Sequence, residues 1–175
     1  MTVSSIWFAP IAEKPKQVLL PDKIKSSGQL TGENGGIMEA KAVWQGDMSF
    51  LGSADTGFTL KMDSAEVAGG HDDGFRPTEL LAIGTAGCTA MDVISILKKK
   101  RAEVIAFEVR AHVDKAETYP KVFTRMHLTY VVTGHGIKPE DVERAVQLSE
   151  EKYCPCIAMF RQVLELTREI QIIEA

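Results

Sequence analysis

What this chain has little of narrows its class first. Cysteine is sparse, three residues in 175 with two of them a close pair, so the pattern is not that of a disulfide scaffold. No basic segment followed by an apolar run opens the chain, and a reducing cytoplasm is the expected compartment. No uncharged apolar stretch reaches the roughly 18 to 20 residues of a membrane span. A net charge of −4 and a pI near 5.6 argue against general affinity for nucleic acid or an anionic membrane. The loop Val67–Arg76, rich in Gly and Asp, lacks the glycine spacing that wraps backbone N–H groups around a phosphate. No solenoid or dinucleotide-binding period appears.

What is present is enough apolar material for one sizeable core: 45% of the residues are hydrophobic, and the length does not require a second domain. Residues 1–37 read as a peripheral or flexible extension, because Pro10, Pro15 and Pro21 interrupt it and Ser26–Gly36 has linker composition. Residues 38–175 read as the domain proper.

The chain is organised around Pro77–Arg101. Pro77 suits a first helical position, and Lys98, Lys99, Lys100 and Arg101 suit the negative end of the macrodipole. Leu80, Leu81, Ile83, Ala86, Met91, Val93, Ile94, Ile96 and Leu97 cover more than one face, which predicts a long helix buried on several sides with Cys88 near its middle.

Period-two patterns flank it. Glu39–Leu51 and Gly57–Asp63 read as antiparallel strands, with a break near Gln45–Asp47. Ile105, Phe107, Val109, Ala111 and Val113 form one half-buried strand, and Val122, Thr124, Met126, Leu128, Tyr130 and Val132 its hairpin partner, ended at Gly134–Gly136. Pro139 opens an amphipathic helix, Pro155 a short one, and Glu169–Ile173 suits a last strand. The class is α+β: antiparallel sheet packed on a central helix.

The cysteines carry the candidate chemistry. Cys154 precedes Pro155 and so sits at a helix N-cap, where the dipole and free N–H groups favour a thiolate. Cys88 lies in an apolar helix that disfavours a thiolate, and an ionised Asp92 one turn on opposes it further. These residues leave open which thiol attacks and which resolves. Cys154 and Cys156 offer two soft ligands, but His71, His112, His127 and His135 fall at no recognised metal spacing, so neither metal nor cofactor is expected. Glu140, Asp141 and Glu143 stand in a first helical turn and read as dipole partners rather than as acid–base catalysts.

Three ordered segments, Gly74–Leu97 (GFRPTELLAIGTAGCTAMDVISIL), Tyr119–Gly134 (YPKVFTRMHLTYVVTG) and Ser149–Pro155 (SEEKYCP), resemble the OsmC/Ohr superfamily of osmotically inducible and organic-hydroperoxide-resistance proteins, over most of the chain from Met38. The resemblance implies an intertwined homodimer with two long central helices between sheets. It implies a site at the dimer interface with Cys88 as peroxidatic and Cys154 as resolving cysteine; Cys156 is extra. A Cys88 sulfenic acid would condense with Cys154, and a dithiol reductant would reopen the disulfide. The family peroxidases carry a glutamate directly after the helix-opening proline, paired with an early-loop arginine. Here that position is Thr78, and Glu79, one residue later, is rotated by about 100°. No arginine precedes Arg76, leaving Arg76 or Lys41 to stand in, with Glu79 and Arg76 as supporting residues. The departures bring the chain nearer the OsmC-like branches than the hydroperoxide-resistance enzymes. The expected function is thiol-dependent reduction of organic hydroperoxides; the alternative is a non-enzymatic dimer that binds an apolar ligand or senses oxidants through the same thiols.

Overall fold

A computed structural model describes residues 37–175. The extension and linker expected over residues 1–36 lie outside the described residues. Within the rest the chain forms two compact units, the first ending at Pro77 and the second running over Thr78–Ala175.

The first unit is a three-stranded antiparallel sheet of β1 (Ala40–Gly46), β2 (Ser49–Ala54) and β3 (Thr59–Met62), in that order. The break expected near Gln45–Asp47 is a full hairpin turn, with Gly46 at φ 108° and Asp47 at φ 44°, values that glycine adopts freely and aspartate tolerates. The loop that follows is organised by Asp63. Its carboxylate accepts the backbone N–H of Ser64 at 2.7 Å and of His71 at 2.8 Å. Burial alone would push this carboxyl up, but the N–H groups outweigh it and hold the pKa down at about 2. A cavity of about 360 Å³ lies within this unit, lined by residues that include Asp47, Ser49, Lys61 and His71.

The long helix α1 spans Pro77–Lys99, as its end signals predict. Its C-terminus is a Schellman motif: Arg101 takes a left-handed φ of 58°, Ala102 N–H donates to Leu97 O, and Arg101 N–H to Lys98 O. Burial departs from expectation. Only Thr85, Thr89, Val93 and Leu97, four positions at helical spacing, are buried, whereas Leu81, Ile83 and Met91 are exposed. One stripe of the helix packs within the chain, and the other apolar faces are left uncovered by the described residues. By length and composition alone α1 would pass for a membrane span, yet its buried stripe carries two threonines that hydrogen-bond inside the protein.

The second sheet has the order β4–β5–β6, with β4 at Glu103–Lys115, β5 at Phe123–His135 and β6 at Glu165–Glu174. The β4–β5 hairpin is antiparallel as expected, but β6 pairs parallel to β5, so this sheet is mixed. The chain returns to β5 by a helical crossover and enters β6 in the same direction. Across the sheet, Phe107, Val132 and Ile172 stand side by side, as do Val109, Tyr130 and Ile170, and Val113, Met126 and Leu166. These rows pack against Val93, Leu97, Val142, Ala145 and Val146 to make the core.

Two bulges correct the simple alternation. The register shifts between Val104 and Ala106 and again between Asp114 and Lys115, which turns Ile105 and Val122 outward, both mostly exposed. Nor does Gly134 end the strand. It sits inside β5 opposite Val104, where a Cβ would stand 2.1 Å from the Glu103 carbonyl oxygen, so only glycine fits. Gly136, at φ 55°, follows the strand end.

Helix α2 (Pro139–Leu148) runs into a π-helical turn over Ser149–Tyr153, and α3 (Pro155–Phe160) follows. Of the acids expected in the first turn of α2, Glu140 and Asp141 stand there and Glu143 lies beyond it; Asp141 pairs with Lys100 at 2.7 Å and Glu143 with Arg168 of β6 at 2.6 Å. Arg168 also reaches Glu150 in the π turn at 3.2 Å, tying the turn to the sheet.

Candidate active site

The buried stripe of α1 sets the site. Cys88 and Asp92 are four residues apart and therefore share a face of the helix, beside the stripe that carries Thr85 and Thr89. The π turn supplies the other half. Its bond from Cys154 N–H to Ser149 O, 2.8 Å, fixes the spacing between Ser149 and Cys154, and both point back at α1. Ser149 Oγ donates to Asp92 Oδ2 at 2.9 Å and lies 2.9 Å from Thr89 Oγ1, which is itself 2.9 Å from the Tyr130 hydroxyl. Tyr130, Thr89 and Ser149 are fully buried, and their chain of bonds ends on the half-buried Asp92 carboxylate. Burial pushes the Tyr130 phenol up to about 12, and it stays a neutral hydrogen-bonding group.

At the end of this network the Cys88 and Cys154 sulfurs and an Asp92 carboxylate oxygen lie within 4.8 Å of one another. Both cysteines named by the sequence are therefore brought together within one chain. Cys156 stands two residues after Cys154 in α3 and is half-buried, and all three cysteines are free. Cys154 is the N-cap of α3, with Sγ accepting the Ile157 N–H at 3.5 Å. The expected lowering of its pKa is overturned: burial, at 2% exposure, outweighs that one bond and pushes the thiol up to about 12. Cys154 is a neutral buried thiol, whereas Cys88 is only half-buried.

The supporting residues fare differently. Glu79 stands nine residues before Cys88, a rise of roughly 13 Å along α1, so the helix alone does not bring it to the thiol. Arg76 donates to the carbonyls of Asp63 and Gly74, each at 3.1 Å, and pairs with Asp72, bonds that fasten its own loop. Thr78 accepts from Lys115 Nζ at 3.2 Å, and Lys41 lies exposed on β1. The histidines are loop and strand residues, as expected; His71 contacts Asp47 at 3.0 Å. Sequence reasoning missed Ser149, Thr89 and Tyr130 as parts of the site. The signal that was there is a polar set, Thr85, Thr89 and Asp92, at helical spacing inside an apolar helix.

A family profile described as OsmC-like protein matches residues 70–168, a stretch that includes Cys88, Asp92, Ser149 and Cys154. The chain belongs to the OsmC-like family. Protein YhfA of Escherichia coli K12 is 34% identical over 138 residues, covering 79% of this chain and all of the relative. Among solved structures, a hypothetical protein from Aquifex aeolicus superimposes with a TM-score of 0.71 at 27% identity, over 81% of this chain and 99% of that one. An organic hydroperoxide resistance protein from Legionella pneumophila shares the fold at 18% identity and a TM-score of 0.59, over 79% and 99% of the two chains. The free thiols gathered here all lie within the stretch that the OsmC-like profile matches.

Proposed function

We propose that this OsmC-like protein is a cytoplasmic, homodimeric thiol peroxidase that reduces organic hydroperoxides, with Cys88 attacking and Cys154 resolving. The observation that supports it is the approach of two free thiols of unequal exposure, Cys88 half-buried and Cys154 buried, to within 4.8 Å. The Cys88 thiolate attacks the O–O bond of ROOH, releasing ROH and leaving a sulfenic acid. The Cys154 thiol then attacks that sulfur, forming the disulfide and expelling water, and a dithiol restores both thiols. The reacting thiols sit among apolar neighbours of the core, which favours an organic peroxide over hydrogen peroxide. The exposed apolar faces of α1 supply the surface for a second copy of the chain.

Cys88→Ser should abolish consumption of cumene hydroperoxide in the presence of a dithiol, and peptide mapping of the wild type after one equivalent should give a Cys88–Cys154 disulfide. Unchanged turnover in the variant would sink the reading. A second reading, a non-enzymatic dimer that senses oxidants or binds an apolar ligand, is favoured by the placement of an acid, Asp92, within 4.8 Å of the Cys88 sulfur. Disulfide formation without catalytic turnover would select it.

A further inference from the structure

The acid among the thiols is unexplained by peroxide reduction, and a soft–hard mixed donor set is what a borderline cation takes. We propose that Cys88, Asp92 and Cys154, with Cys156 closing the fourth position, form a zinc(II) site. Two ligand atoms on one tetrahedral zinc, with Zn–S near 2.3 Å and Zn–O near 2.0–2.2 Å, stand roughly 3.5–3.8 Å apart. The three donor atoms already lie within 4.8 Å of one another, so side-chain shifts of about 1 Å close the cage. Cys156, two residues after Cys154 in α3 and half-buried, is the neighbouring donor for the remaining position.

The surroundings are those of a metal site rather than of a bare thiol pair. Asp92 is held by Ser149, which is backed by Thr89 and Tyr130, and Cys154 Sγ is held by the Ile157 N–H. Such outer bonds orient first ligands and disperse their charge. Three thiolates and one carboxylate around Zn²⁺ leave the same net charge as a four-cysteine zinc site. Binding moves no electrons; the three thiol protons pass to solvent as the Zn–S bonds form. The carboxylate argues for zinc over copper(I), which takes thiolates and thioethers. Zinc occupancy and the Cys88–Cys154 disulfide exclude each other, because oxidation to the S–S bond removes the two thiolates that would hold the metal. The site therefore does not depend on the peroxidase reading, but it would govern it.

The test uses the reduced, tag-free full-length protein, titrated with zinc chloride against a chromophoric chelator and with cobalt(II) as spectroscopic substitute. One equivalent per chain should bind, with a tetrahedral cobalt spectrum and sulfur-to-cobalt charge transfer. Cys156→Ser should weaken that charge transfer while stoichiometry holds. Asp92→Asn, confirmed folded by circular dichroism, should lose about tenfold or more in affinity, and the disulfide form should bind none. Absence of zinc binding, an octahedral cobalt spectrum, or wild-type affinity in Asp92→Asn would each overturn the proposal. Zinc binding by a protein inert to hydroperoxide would uphold it and remove the peroxidase reading alone; turnover with no metal uptake would do the reverse.

Discussion

The two units of this chain solve the burial problem differently. In Thr78–Ala175 the rows across β4, β5 and β6 meet Val93, Leu97 and the inner face of α2 in a core whose largest members are fully buried. In the first unit the buried residues among those described are Ser49, Gly52, Asp63 and Gly70, and no large apolar side chain is among them. Trp44, Phe58, Leu60 and Phe75 are exposed instead. That sheet is fastened by its ladder and by the polar loop around Asp63. A three-stranded sheet without a covered face is marginal in water, so its apolar residues await a cover that the described chain does not provide, as do the outer faces of α1. Among the described residues the core of the second unit is complete, and that of the first is not.

That contrast can be broken most directly by cavity formation. Leu97→Ala, at a fully buried position, should cost about 2–5 kcal/mol in denaturant unfolding. Next comes the polar interior. Ser149→Ala removes the bond to Asp92 and leaves Thr89 with Tyr130 alone, and should cost about 1–3 kcal/mol, with Cys88 more readily alkylated as the carboxylate loosens. In the first unit Phe58→Ala, at 83% exposure, should change chain stability by no more than about 0.5 kcal/mol but weaken self-association measured by sedimentation; a large loss in dilute protein would mean that the sheet is covered from within its own chain.

The smallest effects are set by pH. Cys154 is protonated more tightly when folded, so its contribution is fully present below the ordinary thiol value of 9.0 and is lost as pH rises towards about 12. Native Cys154 should accordingly resist iodoacetamide at pH 8 and react once unfolded in urea. His71 is also raised, chiefly by its bond to Asp47. Its contribution is complete below 6.5 and fades as pH rises through the folded value, a slope that His71→Ala should flatten in melting temperatures taken between pH 5 and 8.

Much of this was legible beforehand because it is local. Pro77, Pro139 and Pro155 marked three helix starts, and alternation over β4 and β5 marked the hairpin, because period and capping act over a few residues. The bulges at Val104/Ala106 and Asp114/Lys115 were not legible, since register belongs to a pair of strands. The parallel pairing of β6 and the one-sided burial of α1 are likewise set by distant partners. At the site, the two cysteines were found by motif, but the pKa of Cys154 was misjudged. Its N-cap position could be read from Pro155, whereas the burial that overrides the helix terminus depends on the packing of Ile157 and Val146. Ser149 stayed hidden because its reach to Asp92 passes through a π turn that no residue pattern announced.

That turn makes thiol pairing a matter of residue count. The five residues Ser149–Tyr153 hold one more residue than an α-helical turn would. Wound as α-helix, the same five residues would carry Cys154 about 100° further round the axis and away from Cys88, whereas the π turn lets its N–H reach Ser149 O. A one-residue insertion after α2 is thus taken up by the turn, and the cysteine couple stays in place.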